Sequence, residues 1–289
     1  MISSKLGIGP MSPASIQASL EYSAENDVQL MLVASRRQVE CEELGGGYVD
    51  GLTSQGLVDL VRDFGIGDVL VCRDHGGPYQ GSNEENLTET EALDRALLSM
   101  KKDVDAGFDL IHVDCSYHKG DVYEATSVLI REVAAYAKLQ GRNISFEIGA
   151  EQNIGTATDL VKFQKDLEFY LRDTTPEFVV GQTGSLVKEL FQVGCFDFET
   201  SEKMTEICHS AGVKFKEHNV DYAPDIELLQ RRWAGVDAIN VAPEFGVVES
   251  QTVVHLARKV GLHDKARTFT DKAIASGKFS LASNYGAWR

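Results

Sequence analysis

Proline is scarce, six in 289 residues, and nowhere does it gather with glycine or serine into a linker. A hinge between two domains is therefore not expected. No run of about eighteen apolar residues occurs, the least that a membrane-spanning helix needs, so no spanning segment and no membrane partner are expected. Met1 to Leu6 lead straight into an apolar stretch, with no basic region and no cleavage site, so a secretory leader is not expected. The five cysteines include no CxxC pair, and an odd count does not suit a disulfide framework. Cys72 and Cys115 sit inside apolar runs, where a free thiol packs as a small hydrophobe. Reduced thiols and a cytoplasmic location are expected. Base is short as well: 28 Lys and Arg stand against 44 Asp and Glu, a formal net charge of −16. No basic stripe offsets that field, which repels nucleic acid and anionic lipid. Repeats and low-complexity tracts are missing.

What the chain does contain is alternation. Eight short β-branched or apolar runs are legible: Lys5–Gly9, Val28–Ala34, Asp68–Cys72, Leu110–Asp114, Ile144–Ile148, Glu177–Gly181, Val213–Lys216 and Ala238–Val241. Segments of helical periodicity separate them, such as Leu93, Ala96, Leu97 and Met100, or Val128, Leu129, Val133 and Tyr136. Gly107, Gly141, Gly212 and Gly235 each stand between a helical pattern and the next run, where a helix end needs a residue tolerant of positive φ. Strands alternating with helices predict a parallel sheet, and eight units close a barrel. The expected fold is an α/β (β/α)8 TIM barrel over residues 1–261. A helical and extended tail, 262–289, follows it.

Barrel enzymes carry their chemistry on the segments after each strand. Here those segments are rich in polar groups: Arg73-Asp74-His75-Gly76-Gly77-Pro78, His112-Val113-Asp114, His118-Lys119, Glu147 to Asn153, Gly181 to Ser185, Lys216-Glu217-His218-Asn219 with Asp221, and Asn240 to Glu244. Four of the seven histidines, 75, 112, 118 and 218, fall in them. Imidazoles are good zinc ligands, and a carboxylate beside a cation can move a proton. An Asp-His pair alone is as readily explained by strand-end hydrogen bonds. Joined to Glu151 and His218 on other strand ends, Asp74-His75 points to a divalent metal. Gly76-Gly77 lets the backbone approach a ligand. Glu147 lies on a strand interior and needs a partner, either Arg73 or Lys216. His112 is either a satisfied core histidine or a substrate contact. Lys119 either receives an anion or is solvated. Asn240 and Gln182 either fix substrate hydroxyls or pair with backbone. Arg73, His112, Asp114, Lys119, Ser185, Asp221 and Asn240 are the candidate substrate-binding groups.

These segments, with Ala34-Ser35-Arg36-Arg37-Gln38-Val39, Gly46-Gly47-Tyr48 and His218-Asn219-Val220-Asp221-Tyr222, resemble the class II ketose-bisphosphate aldolase superfamily. The branch they resemble is the GatZ/KbaZ-like one, which holds the tagatose-bisphosphate aldolase non-catalytic subunits and related sugar 4-epimerases. The resemblance implies that Asp74 is the proton-transfer acid, that His75 and His218 bind zinc, and that Glu151 is a second catalytic acid and a possible ligand. Gln182 stands roughly where a third histidine ligand is usual, and the glycine-rich phosphate loop after the seventh strand is missing. The implied activity is aldol cleavage or epimerisation of a ketose, a sugar phosphate or a related sugar derivative. The alternative is a non-catalytic subunit that stabilises a separate catalytic aldolase subunit. A homo-oligomer is also implied, with Phe279, Leu281 and Trp288 of the tail as apolar candidates for its interface.

Overall fold

Period-two alternation sorts every buried strand into two faces, and this sorting positions all that follows. The computed structural model describes residues 2–149, 155–188 and 190–275. The chain runs β1 (Leu6–Ile8), α1 (Pro13–Asn26), β2 (Gln29–Ser35), α2 (Ser54–Phe64), β3 (Asp68–Asp74), α3 (Glu89–Ala106), β4 (Leu110–Val113), α4 (Val122–Leu139), β5 (Ser145–Ile148), α5 (Leu160–Tyr170) and β6 (Phe178–Val180). An antiparallel hairpin follows, β7 (Val187–Lys188) and β8 (Phe191–Gln192). The chain continues with α6 (Phe198–Ser210), β9 (Lys214–Glu217), α7 (Asp225–Trp233), β10 (Ala238–Val241), α8 (Pro243–Lys259) and α9 (His263–Ala275). Strands β1, β10, β9, β6, β5, β4, β3 and β2, in that spatial order, close a parallel barrel. Each of the eight expected runs supplies one of them, and the four glycines placed at helix ends all have positive φ. The hairpin was not anticipated, because two-residue strands carry no period to read. Among the described residues no helix is long and apolar enough to cross a membrane.

Inward residues of the lower barrel, Met31, Val33, Cys72, Leu110, Phe178 and Ala238, form an apolar plug. The outward neighbours pack on the helices: Leu30, Leu32 and Val71 toward α1 and α2, Ile111 and Phe146 toward α3 and α4, Val179 and Phe215 toward α5 and α6. Serine, threonine or aspartate caps each helix from α1 to α6. Ser12 and Thr88 each complete a reciprocal capping box, with Ser15 and Glu91.

The same alternation sends Arg73 outward, away from its neighbour Asp74. The Arg73 side chain is wholly buried. All five of its N–H groups are used: two on Asp103 (2.8 and 2.7 Å), one on Ser54 Oγ (3.1 Å), and two on the carbonyls of Ala34 (3.0 Å) and Val39 (2.7 Å). Removing one partner of such a pair strands the other charge, which costs roughly 3–5 kcal/mol. Asp103→Ala should therefore lower the unfolding free energy by about that amount in urea titrations. A loss under about 1 kcal/mol, the worth of an exposed pair, would contradict the assignment.

Candidate functional site

Above the apolar plug the inward positions become polar. Strands β3, β4, β5 and β9 bring Asp74, His112, Glu147 and His218 together, with one ligand-type atom of each lying within 4.8 Å of the others. Register sets their height: His112 stands opposite Glu147. His75 takes a left-handed backbone, φ 45°, a strain of about 1 kcal/mol or more for a residue with a Cβ. Its ring joins the other two, with centroids 5.4 Å from His112 and 5.5 Å from His218, while His112 and His218 are 5.0 Å apart.

Three ring nitrogens face the Asp74 carboxylate: His75 Nε2 at 3.8 Å, His112 Nδ1 at 3.7 Å and His218 Nδ1 at 3.6 Å. These gaps are too long for hydrogen bonds. Two rings are held from behind. His75 Nδ1 meets Asp114 Oδ2 at 2.6 Å, and His218 Nε2 meets Glu147 Oε1 at 2.6 Å. A carboxylate only accepts, so in the neutral ring the bonded nitrogen holds the proton. In that neutral form the nitrogen facing Asp74 keeps its lone pair; on His75, whose pKa is lifted to about 9, a cation must displace a proton to reach it. Asp114 is fixed in turn by Gln80 Nε2 (2.6 Å) and the Ser116 N–H (2.9 Å), and Glu147 by Lys216 Nζ (2.5 Å).

Burial pushes the Asp74 carboxyl up, but His75 and His218 outweigh it and hold the group well below the ordinary carboxylate range. Glu147 behaves alike, with Lys216 and His218 overcoming burial. Burial lowers the His75 imidazole, and Asp74 with Asp114 more than reverse that, lifting it to about 9. In His218 burial prevails and the pKa falls. Asp74 Oδ1 and His112 Nε2 are buried without a hydrogen-bond partner among the described residues. An ionised carboxylate oxygen left in that state, ringed by three imidazoles and backed by two orienting carboxylates, has the donor chemistry of a divalent-cation site.

Several candidates from the sequence lie elsewhere. Arg73 is spent on Asp103 behind the barrel wall and is not available to a substrate. Ser185 accepts a hydrogen bond from Arg231 Nη2 at 2.6 Å, buried beside the outward Glu217. Asp221 accepts the backbone N–H groups of Ala242 and Glu244, both at 2.9 Å, and so shapes the turn into α8. Lys119 is exposed, bound to the Glu85 carbonyl at 3.1 Å and lying over the Tyr79 ring at 4.3 Å. Asp114 supports His75 from behind. Gln182 is buried with its backbone tied to Thr158, and no described contact brings its amide to the histidines. His112, not Gln182, completes the trio of imidazoles. Glu151 lies outside the described residues. Asn240 lies on β10 with both its side-chain Oδ1 and Nδ2 buried without a partner among the described residues. A Cβ on Gly77 would lie 1.7 Å from the Asp114 carbonyl and one on Gly76 2.7 Å from the His112 carbonyl, so these glycines let the β3 loop rest on the end of β4. Sequence reasoning left Glu147 with two possible partners. Its pairing with Lys216 and its hold on His218 were signalled only by one charge at an inward position of β5 and one of β9.

A cavity of about 600 Å³ opens over these groups, with Asp74, His75, Gln80 and Asn219 among its walls. The hairpin leans over this end: Gln192 Nε2 donates to the carbonyls of Asn219 (3.0 Å) and Asp221 (3.2 Å).

A sequence model of the family described as D-tagatose-1,6-bisphosphate aldolase subunit GatZ/KbaZ-like matches residues 6–155, just over half of the chain. Among solved structures, a probable tagatose 6 phosphate kinase from Sinorhizobium meliloti 1021 superposes with a TM-score of 0.78 at 18% identity, over 96% of this chain and 76% of that one. The YdjI aldolase of Escherichia coli K12 gives 0.60 at 13% identity, over 92% and 86%. The fructuronate-tagaturonate epimerase UxaE of Cohnella laeviribosi gives 0.62 at 14% identity, over 97% and 65%. At such identities the likeness is one of fold.

Asp221 yields a pH test. Burial lifts its carboxyl from the ordinary 3.8 to about 6, against the backbone N–H groups that favour the charged form. The folded state therefore holds a proton that the unfolded chain gives up. Stability from this group is intact below about pH 4 and is lost as pH rises through about 6. Asp221→Asn retains an oxygen acceptor for Ala242 and Glu244. It should exceed the wild type in stability by about 1–3 kcal/mol at neutral pH, with the difference vanishing near pH 4. Urea titrations at both pH values check this, and an advantage that grows toward acid pH is the opposite outcome.

Proposed function

Because the chain belongs to the D-tagatose-1,6-bisphosphate aldolase subunit GatZ/KbaZ-like family, we propose that it is a metal-dependent enzyme of the aldolase type, acting on a ketose or a ketose derivative by aldol cleavage or epimerisation. One observation carries this reading: three imidazole nitrogens turn toward an ionised Asp74, and Asp114 and Glu147 fix two of those rings from behind. His75, His112 and His218 would hold a divalent ion, zinc by the preference of imidazole nitrogen. When bound, the ion supplies Lewis-acid polarisation of the substrate carbonyl.

The chain's own residues do the rest. Asp74, held ionised, accepts a proton from a substrate hydroxyl or carbon and returns it. Asn240, with a free donor and acceptor inside the barrel, orients a substrate hydroxyl or carbonyl. Glu151, from its position after β5, is the candidate second acid. Lys216 keeps Glu147 charged, so that the carboxylate goes on orienting His218. The family also contains subunits that support a separate catalytic chain. A chain with only that role has no use for three aligned imidazoles around a charged carboxylate, and this weighs for catalysis. Five free cysteines, four of them buried, suit a reducing cytoplasm. Exposed Ile226, Leu229 and Trp233 on α7, with Leu256 on α8 and Val260 just beyond its end, support self-association.

Two variants separate the jobs. Asp74→Asn keeps the shape and removes the basic oxygen, so metal content should persist while turnover of a ketose substrate falls by roughly 10²–10⁴. His75→Ala should lose both metal and turnover. Wild-type turnover in Asp74→Asn would remove Asp74 from the mechanism. Elemental analysis of the two proteins beside their rates decides it.

A further inference from the structure

Two sequence motifs have no part in the metal-type cluster: Ser35-Arg36-Arg37-Gln38 after β2, and Gly46-Gly47-Tyr48 beyond it. The fold joins them into one wall of the cavity, where Ser35, Arg37, Gln38 and Tyr48 line the same space as Asp74 and His75. The joint is built, not incidental. The Tyr48 N–H donates to the Arg37 carbonyl at 2.8 Å. A Cβ on Gly47 would lie 1.9 Å from the Gln38 carbonyl, so only glycine permits this approach. Arg36 anchors the wall from behind. Its buried guanidinium binds Glu40 at 2.8 Å, Glu84 at 2.7 and 3.2 Å and the Gly77 carbonyl at 3.0 Å, which locks the β2 loop to the β3 loop that carries His75. Gln38 Oε1 accepts the Ser35 N–H at 2.9 Å, which fixes that side chain too. With Arg36 turned into the protein, Arg37 stands at the cavity wall.

Arg37 is the only arginine or lysine among the described residues that line this cavity. Its neighbours there include hydroxyl and amide groups, suited to a polyhydroxylated chain. Two acids, Glu85 and Glu249, also line the cavity, and the chain carries a net charge of −16. A second strongly anionic group on the ligand, away from the imidazole cluster, would meet repulsion with no further arginine or lysine among the described lining residues to receive it. We propose that Arg37 binds the single terminal anionic group, carboxylate or phosphate, of a sugar whose other end lies at Asp74 and His75. Guanidinium pairs with either anion through two parallel hydrogen bonds, so the shared chemistry is a planar or tetrahedral oxyanion. This specifies the substrate of the proposed function as a singly anionic sugar instead of a bisphosphate. The position of its reacting end rests on that function; the anion subsite stands on the wall itself.

The test is calorimetric titration of the wild type, Arg37→Met and Arg37→Lys with tagatose, tagatose 6-phosphate, tagaturonate and tagatose 1,6-bisphosphate, in zinc-loaded and chelator-treated protein. The wild type should bind at least one singly anionic probe more tightly than tagatose, and the bisphosphate no more tightly than that probe. The probe that gains identifies the anion. Arg37→Met should weaken that probe roughly 10–100-fold and leave tagatose within about twofold, with Arg37→Lys in between. The selectivity should persist in the metal-free arm, so a failure to bind zinc would sink the metal reading and leave this one standing. Equal weakening of neutral and anionic probes, no preference for an anion in the wild type, or a preference for the bisphosphate would overturn the proposal.

Discussion

A carboxylate buried near the barrel axis governs the upper half of this protein. Glu147 lies between Lys216 Nζ at 2.5 Å and His218 Nε2 at 2.6 Å, with all three side chains nearly inaccessible to solvent. Burying a lone ion costs several kcal/mol, and a paired one far less. Lys216 therefore permits Glu147 to stay charged, and Glu147 in turn decides which His218 nitrogen holds the proton. The apolar plug of Met31, Leu110 and Phe178 lies beneath and keeps water from that side. Without Lys216 the carboxylate would tend to protonate; without Glu147 the lysine would be a stranded cation.

Strand alternation then divides labour between adjacent residues. On β3 the inward Asp74 faces the imidazoles while the outward Arg73 is saturated by Asp103, Ser54 and two carbonyls. On β9 the inward Lys216 and the following His218 serve the site, while the outward Glu217 binds Arg231 at 2.8 Å and Ser201 at 2.6 Å. Arg36 repeats the pattern after β2, fixing the wall on which Arg37 is displayed. On β3 and β9 the residues of the site are thus braced by a buried ion pair one residue away, on the opposite face of the strand. Such bracing holds His75 in a left-handed backbone that would otherwise relax.

This division also explains what the sequence disclosed. The eight strands were legible because each is a short apolar run with helical periodicity on both sides. Asp74, His75 and His218 were legible as chemical groups at strand ends. Arg73, Ser185 and Asp221 were read as substrate contacts because they adjoin such groups. For Arg73, adjacency in a strand means the opposite face; Ser185 and Asp221 lie in loops, and the partners of all three, Asp103, Arg231 and the α8 backbone, lie far along the chain. Gln182 was placed near the metal by family resemblance alone. His112, two residues before Asp114 on the same face of β4, fills that role in space. The Lys216–Glu147 pairing depends on cross-barrel register, which no local pattern encodes, and the two-residue strands of the hairpin are too short to carry a period.

The central claim is that three imidazoles, from β3, β4 and β9, form one metal site. Zinc-edge anomalous diffraction on zinc-soaked crystals of the chain measures it directly. One ion per chain is expected, with nitrogens of His75, His112 and His218 at about 2.0–2.1 Å. An ion bound without His112, an ion at another place on the barrel, or no bound zinc at all would contradict it.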